Sequence, residues 1–375
     1  MAQSDNFGFT EEAALLKESA RKLLNDKFTA DVLHRMVASD PSPDRAPSVD
    51  WDQELWGQMV ELGWSLLAVP EAQGGIGMPL SGVAGLVEEL GRVAFPCPLV
   101  PTLCVSYVLN ACGAAAEPAL AELAEGETAS LAMQNEAGSW DPADTPISCT
   151  EGKLSGSAWF VQELAKVGRL LVCAHSEAGL SLYWVATDAP GVEIQSDAIV
   201  DLTRDQGRVS FNNVAAVEVS ANALAAMAQA MPAIWTLYAA DMVGAAEWQL
   251  QTTVEYVNAR QQFDHPLGFF QAVKHPLVDV MVQIDQAKSL VYNAACGYDE
   301  EPEKASQYAH MAQASASDMA DYASSRSVQC HGGIGFTWEC FVHLFFKRQK
   351  HSQMLWGDAA WHRARLADIL IDSAA

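Results

Sequence analysis

The feature that most limits the fold is a double change of period along the chain. Up to about residue 125, apolar residues recur at helical spacing, as in EEAALLKESARKLL (11–24) and GVAGLVEELGRV (82–93). Two turn-rich stretches interrupt this region, SDPSPDRAPS (39–48) and VPEAQGGIGMP (69–79). Between 126 and 222 the period shortens: LLVCA (170–174), LSLYWVAT (180–187) and RVSFNNV (208–214) are short apolar runs set among Gly, Asp and Pro. From 223 the helical period returns, through Ile234 to Arg260, Phe269 to Tyr298 and an alanine-rich stretch from Glu303 to Cys330. The expected architecture is α+β and multidomain. It comprises a helical domain over 1–125, a β-barrel or sandwich over 126–222 and a four-helix bundle over 223–375.

Charge narrows the function. The chain carries 22 basic and 47 acidic side chains, a formal net charge of −25. Nucleic-acid binding needs clustered Lys and Arg to release counterions, and an anionic membrane surface would repel such a chain. No apolar run in the sequence approaches the ~20 residues of a membrane span, and the N-terminus lacks a basic region followed by an apolar one. A cytoplasmic protein is expected. The eight cysteines (97, 104, 112, 149, 173, 296, 330, 340) form no CxxC pair and no Cys/His cluster, so no metal site is expected.

Two segments carry chemistry. In Tyr256-Val-Asn-Ala-Arg-Gln-Gln-Phe-Asp-His-Pro-Leu-Gly-Phe-Phe-Gln-Ala-Val-Lys-His275, Arg260 closes a long helix, where the dipole favours a cation. Pro266 and Gly268 then enforce a turn into the next helix. In Gln329-Cys-His-Gly-Gly-Ile-Gly-Phe-Thr-Trp-Glu339, glycines at 332, 333 and 335 directly follow a helix. Such a turn lets a ligand approach the main chain and turns N–H groups outward as an anion-receptive nest. It follows a helix and not a strand, so it is not a dinucleotide fingerprint of the βαβ kind. His331 and His275 read as residues that pack or cap their turns.

These two blocks, with LWGQMVELGWSLLAVPEAQGGIGMP (55–79) and EELGR (88–92), resemble the acyl-CoA dehydrogenase family over nearly the whole chain. The resemblance implies an FAD enzyme that oxidises the Cα–Cβ bond of an acyl-CoA thioester. A carboxylate takes the α proton, the β hydride goes to flavin N5, and electrons pass on to an electron-transferring flavoprotein. It also implies a dimer or tetramer that shares FAD across an interface packed through the C-terminal helices. The residues matching that grip are Arg260, Gln262, Phe263, Gln329, Gly332 and Gly333, with Trp159 facing the flavin. A guanidinium can pair the pyrophosphate, and the glycine nest admits the nucleotide. FKRQKH (346–351) could steer a CoA phosphate, but reads as a solvated helix face.

Several positions depart from the family. Its flavin-side loop is matched by Met133-Gln-Asn-Glu-Ala-Gly-Ser-Trp-Asp141, without the usual Thr and Pro, and its Trp-x-Thr by Trp159-Phe160-Val161. The two better-known positions of the catalytic Glu hold Trp356 and Ile234, neither of which can take a proton. A branch of the family carries the base in Ala-Ala-Glu-x-Val-Gly on this helix, which here reads Ala239-Ala-Asp-Met-Val-Gly244. The resemblance therefore makes Asp241 the candidate base, with Glu247 as second candidate. Burying Asp241 alone would be costly; it is either the base or the partner of an Arg or His at an interface. The departures resemble a bacterial branch that handles bulky acyl-CoAs, steroid side-chain thioesters among them, some of whose members are α2β2 heterotetramers. Two readings follow: an active dehydrogenase, or a non-catalytic partner subunit that lends its FAD grip to a sibling chain.

Overall fold

The computed structural model describes residues 10–38 and 51–372. The turn-rich stretch 39–48 lies outside the described residues. In chain order the helices are α1 (Glu11–Lys27), α2 (Ala30–Ala38), α3 (Gln53–Glu61), α4 (Leu80–Val93), α5 (Leu99–Ala111) and α6 (Glu117–Ala124). After the strands come α7 (Ala223–Ala259), α8 (Gln271–Glu300), α9 (Ala305–His331), α10 (Val342–Met354) and α11 (Ala359–Asp372). Local chemistry sets several ends. Thr10 Oγ1 accepts from Ala13 N at 3.1 Å to cap α1, with Glu11 and Glu12 in the positive first turn. Asp52 caps α3 through Leu55 N at 2.8 Å.

Between the two helical regions the eight strands are β1 (Ala129–Ala132), β2 (Ser148–Thr150), β3 (Lys153–Gln162), β4 (Arg169–Ser176), β5 (Gly179–Ala186), β6 (Val192–Ser196), β7 (Gln206–Ala215) and β8 (Val217–Ser220). They form one mixed sheet in the order β6-β7-β3-β2-β4-β5-β8, with β1 parallel to β4. The long ladders β3–β7, β4–β5 and β6–β7 are antiparallel. One face closes over Ile147, Leu154, Val161, Leu170, Val172, Val185, Val209 and Phe211. The register of β3 on β7 slips between Ala158 and Val161, and Phe160 sits there with φ 56°. That bulge re-aims Trp159 relative to its neighbours.

The chain divides into two compact units. One holds α1, α2, α4 and everything from Trp235 onward; the other holds α3, α5, α6, the strands and the first part of α7, up to Ile234. Within the first unit α9 is the hub, packing α8, α10 and α11, while α4 packs on α1 and α8. By length and composition α7 is apolar enough to cross a membrane, but 72% of its apolar 18-residue window is buried, as in the core helix of a folded domain. It meets α4 at backbone contact. A Cβ on Gly244 would lie 1.8 Å from Glu88 O, and one on Gly91 would lie 2.2 Å from Asp241 O. Only glycine permits that approach.

Candidate functional site

The two sequence blocks meet in the first unit. Arg260 follows the last turn of α7, and Tyr256, one turn earlier, stacks on His331 at 4.3 Å between centroids. Tyr256 OH donates to His331 O at 3.4 Å, and Thr253 Oγ1 meets Ser327 Oγ at 2.8 Å. These contacts bring the end of α7 beside the end of α9. His331 is buried, its Nδ1 2.8 Å from Ser327 O, and burial lowers its pKa; it packs the turn. His275 is exposed on α8.

The polar groups left around that packing face outward. Arg260, Gln262 and Gln329 are exposed, and Arg260 makes no ion pair among the described residues. Gln262 and Phe263 lie on a two-residue hairpin of β9 (Gln261–Gln262) and β10 (His265–Pro266), with Phe263 84% exposed. Gly332 takes φ 64°, and a Cβ on it or on Gly333 would meet nothing within 4 Å. A guanidinium without a carboxylate, beside an open glycine turn at the end of a helix, suits a phosphate-bearing ligand.

Three of the four positions considered for a base, Ile234, Trp356 and Asp241, are buried. Ile234 is fully buried. Trp356 is 5% exposed, with its ring 6.4 Å from that of Tyr238. Asp241 is 0% exposed: Arg348 Nη2 donates to its Oδ1 at 2.5 Å and Nε to its Oδ2 at 3.3 Å, with Ser352 Oγ 3.5 Å from Oδ2. Asp241 therefore has the arginine partner that the alternative reading required, but inside its own chain. Arg348 belongs to FKRQKH, and here the structure corrects the sequence reading, because Arg348 and Gln349 are buried and not part of a solvated face. Glu247 is bound by Lys288 Nζ at 2.6 Å, which also reaches Glu88 at 2.8 Å. Burial opposes the charge on Glu88, but Lys17 and Lys288 overcome it and hold that carboxyl below its ordinary value.

In the second unit, Trp159 N donates to Gln134 O at 3.0 Å, tying the 133–141 loop to the bulge in β3. The Trp159 ring is half-buried, and the exposed Arg208 of β7 lies over it, 5.5 Å from the centroid. Val161 is 1% exposed in the sheet core, so no hydroxyl is offered there. Just beyond it, Lys166 sits 2.5 Å from Glu163 and 3.4 Å from Asp205, all three buried. Burial pushes Glu163 up to about 7 in spite of Lys166. Neither Arg208 nor this cluster stood out in the sequence.

Two family models match, the acyl-CoA dehydrogenase N-terminal domain over residues 10–127 and its C-terminal domain over 215–371. The chain belongs to the acyl-CoA dehydrogenase family, flavoprotein oxidoreductases acting on acyl-CoA thioesters. Among individual proteins, acyl-CoA dehydrogenase IpdE2 of Mycobacterium tuberculosis is 31% identical over 92% of this chain and 93% of its own. A solved Tcur3481–Tcur3483 steroid ACAD variant is 27% identical, with TM-score 0.85 over 97% of this chain and 99% of that one. The glutaryl-coenzyme A dehydrogenase complex with glutaryl-CoA, at 19% identity and TM-score 0.86 over 97% and 96% of the two chains, shares the fold.

Proposed function

We propose that this chain works as one subunit of a heteromeric acyl-CoA dehydrogenase for bulky, steroid-like thioesters. In this reading it supplies the adenosine-side grip on FAD, while a sibling chain supplies the catalytic carboxylate. The observation that carries the reading is the contrast between a closed Asp241, held at both oxygens by Arg348, and an open turn at Gly332 beside an unpaired Arg260. Bound FAD supplies the hydride acceptor. Arg260 would pair its pyrophosphate, Gly332 and Gly333 would admit the nucleotide to the main chain, and Gln262, Phe263 and Gln329 would orient it. The flavin-ring side of this chain fits less well, because Val161 offers no hydroxyl and Arg208 already covers Trp159. Exposed apolar residues of α8 and its flanks (Phe263, Phe269, Val278, Met281, Val282) support assembly through the C-terminal helices. The two-chain name of the steroid ACAD supports an assembly of two chain types acting on a steroid thioester. Electrons would leave to an electron-transferring flavoprotein.

Tagged in its native cell, the protein should purify with an equimolar second acyl-CoA dehydrogenase chain and one FAD per pair. Anaerobic addition of a steroid-type acyl-CoA should then bleach the flavin of the pair and not of this chain alone. A homomer that binds one FAD per chain and bleaches unaided would overturn the proposal.

A further inference from the structure

We propose that His310 and His362 form a neutral pair of opposite tautomers that holds the Trp356–Gly357 turn in its left-handed conformation, as positioning residues. The turn is unusual on two counts. Trp356 adopts φ 62° and Gly357 φ 105°. A non-glycine residue takes positive φ in only a few per cent of cases, and a bulky one is an outlier. Something must over-determine the geometry.

Three contacts do so, all from one cluster. His362 on α11 places Nε2 3.2 Å from Trp356 O. Gln313 on α9 donates to Leu355 O at 3.5 Å. Gly357 is packed so tightly that a Cβ would lie 2.5 Å from the Trp361 ring and 3.2 Å from His362 Nε2. His362 is itself fixed by His310 on α9, with the two Nδ1 atoms 2.7 Å apart. Trp235 of α7 covers both rings, 4.3 Å from His310 and 5.4 Å from His362, and Trp361 packs edgewise on His362 at 4.9 Å.

The protons follow from the geometry. A carbonyl oxygen only accepts, so His362 Nε2 carries a hydrogen. A neutral His362 then has a bare Nδ1, and the one hydrogen in the short gap between the rings must come from His310 Nδ1. His310 is therefore the Nδ1–H tautomer and His362 the Nε2–H tautomer. Neutrality is consistent with burial, which drives both imidazoles below their ordinary range, and with Arg365, the nearby cation that disfavours a charge on His310. The chain of donors runs from α9 through α11 to the turn. It fixes the Trp356 indole against Tyr238, whichever chain supplies the base.

The test is long-range proton–nitrogen NMR on the full protein with ¹⁵N-histidine. His310 and His362 should show opposite neutral tautomers at pH 7; two rings in the same tautomer would overturn the proposal. Fluorotryptophan labelling, with Trp356→Phe to assign the signal, reads the turn. His310→Asn keeps a donor at the Nδ1 position and should leave the Trp356 resonance in place, whereas His310→Phe should shift or broaden it. A Trp356 resonance that His310→Phe leaves unchanged would also overturn the proposal. If His310→Phe does not fold, the tautomers of the parent protein decide alone.

Discussion

The surface around Arg260 and Gly332 and the interior around Asp241 are both polar regions of the same unit, and they differ in what is left over. At the first, the packing groups Tyr256, His331, Thr253 and Ser327 satisfy one another, while Arg260, Gln262 and Gln329 are exposed, Gln262 Nε2 donating to Gln261 O at 2.8 Å and Arg260 making no ion pair among the described residues. At the second, every oxygen has its donor and the helices are closed over it. A buried ion pair costs most of what it returns unless its hydrogen bonds are completed. Here both oxygens have donors and the group is buried, which suits a fastening more than an acceptor for an α proton. Polar residues at a functional site are recognised by what they lack.

The largest test of that contrast is Asp241→Asn. Removing the charge leaves Arg348 buried without its partner, and denaturant unfolding should show a loss of about 3–5 kcal/mol. Replacing Asp241 and Arg348 together by apolar residues of similar volume should recover most of it. A single Asp241→Asn variant with parental stability and no flavin bleaching would break the contrast and restore Asp241 as the base. Arg260→Ala should do the opposite. Fluorescence titration of the assembled protein should show FAD binding weakened roughly 10- to 100-fold, the range for a lost hydrogen bond to a charged group. The unfolding midpoint of the flavin-free protein should not move.

Acid should act first on the histidine pair behind the Trp356–Gly357 turn. Burial holds His310 at about 4 and His362 at about 3, below the ordinary 6.5, so the fold favours their neutral forms. That stability is fully present above pH 6.5 and is lost as pH falls through 4 toward 3, at about 1.4 kcal/mol per pH unit for each imidazole. Unfolding followed between pH 7 and 4 should steepen accordingly, and His362→Gln should flatten the curve. The smallest effect belongs to Glu163, whose carboxyl is raised to about 7. Its contribution is present below pH 4.5 and lost as pH rises through 7. Glu163→Gln should therefore stabilise at pH 8 by at most about 3 kcal/mol (about 1.4 kcal/mol per unit between 4.5 and 7), less what the lost ion pair to Lys166 returned, and by nothing at pH 4. Equal melting temperatures for parent and variant at pH 8 would place the burial cost elsewhere.

Much of the architecture could be read from period alone, because amphipathic spacing is local. The run GVAGLVEELGRV lies within α4, and LSLYWVAT covers most of β5. The glycine turn was legible for a similar reason, since three glycines in four positions have few other uses. What stayed hidden is non-local. Arg348 meets Asp241 across 107 residues, and its neighbours Lys347 and Lys350 give the segment the look of a solvated stripe. Arg208 covers Trp159 only because a bulge shifts the register of β3 on β7. The expected start of α8 at Phe269 moved to Gln271, because Leu267–Phe269 forms a 3₁₀ turn and Phe270 is extended at ψ 130°. Pro232 lies inside α7 without ending it.

The discontinuous unit has a consequence for how the chain is made. Every residue of α4 except Arg92 is buried, and it closes on α7 through Gly91 and Gly244 and on α8 through Glu88 and Lys288. Yet the whole of Pro96–Ile234, which belongs to the other unit, is synthesised between α4 and those partners. At ribosomal speed that is a wait on the order of ten seconds. Throughout it the nascent N-terminal helices present an apolar face, with Glu88 and Glu89 set in it, that nothing yet covers. The strand-rich unit is complete and can fold while this face is still open. Synthesis therefore finishes with the repair of an interrupted helical core, a stage at which a holdase has most to offer the chain.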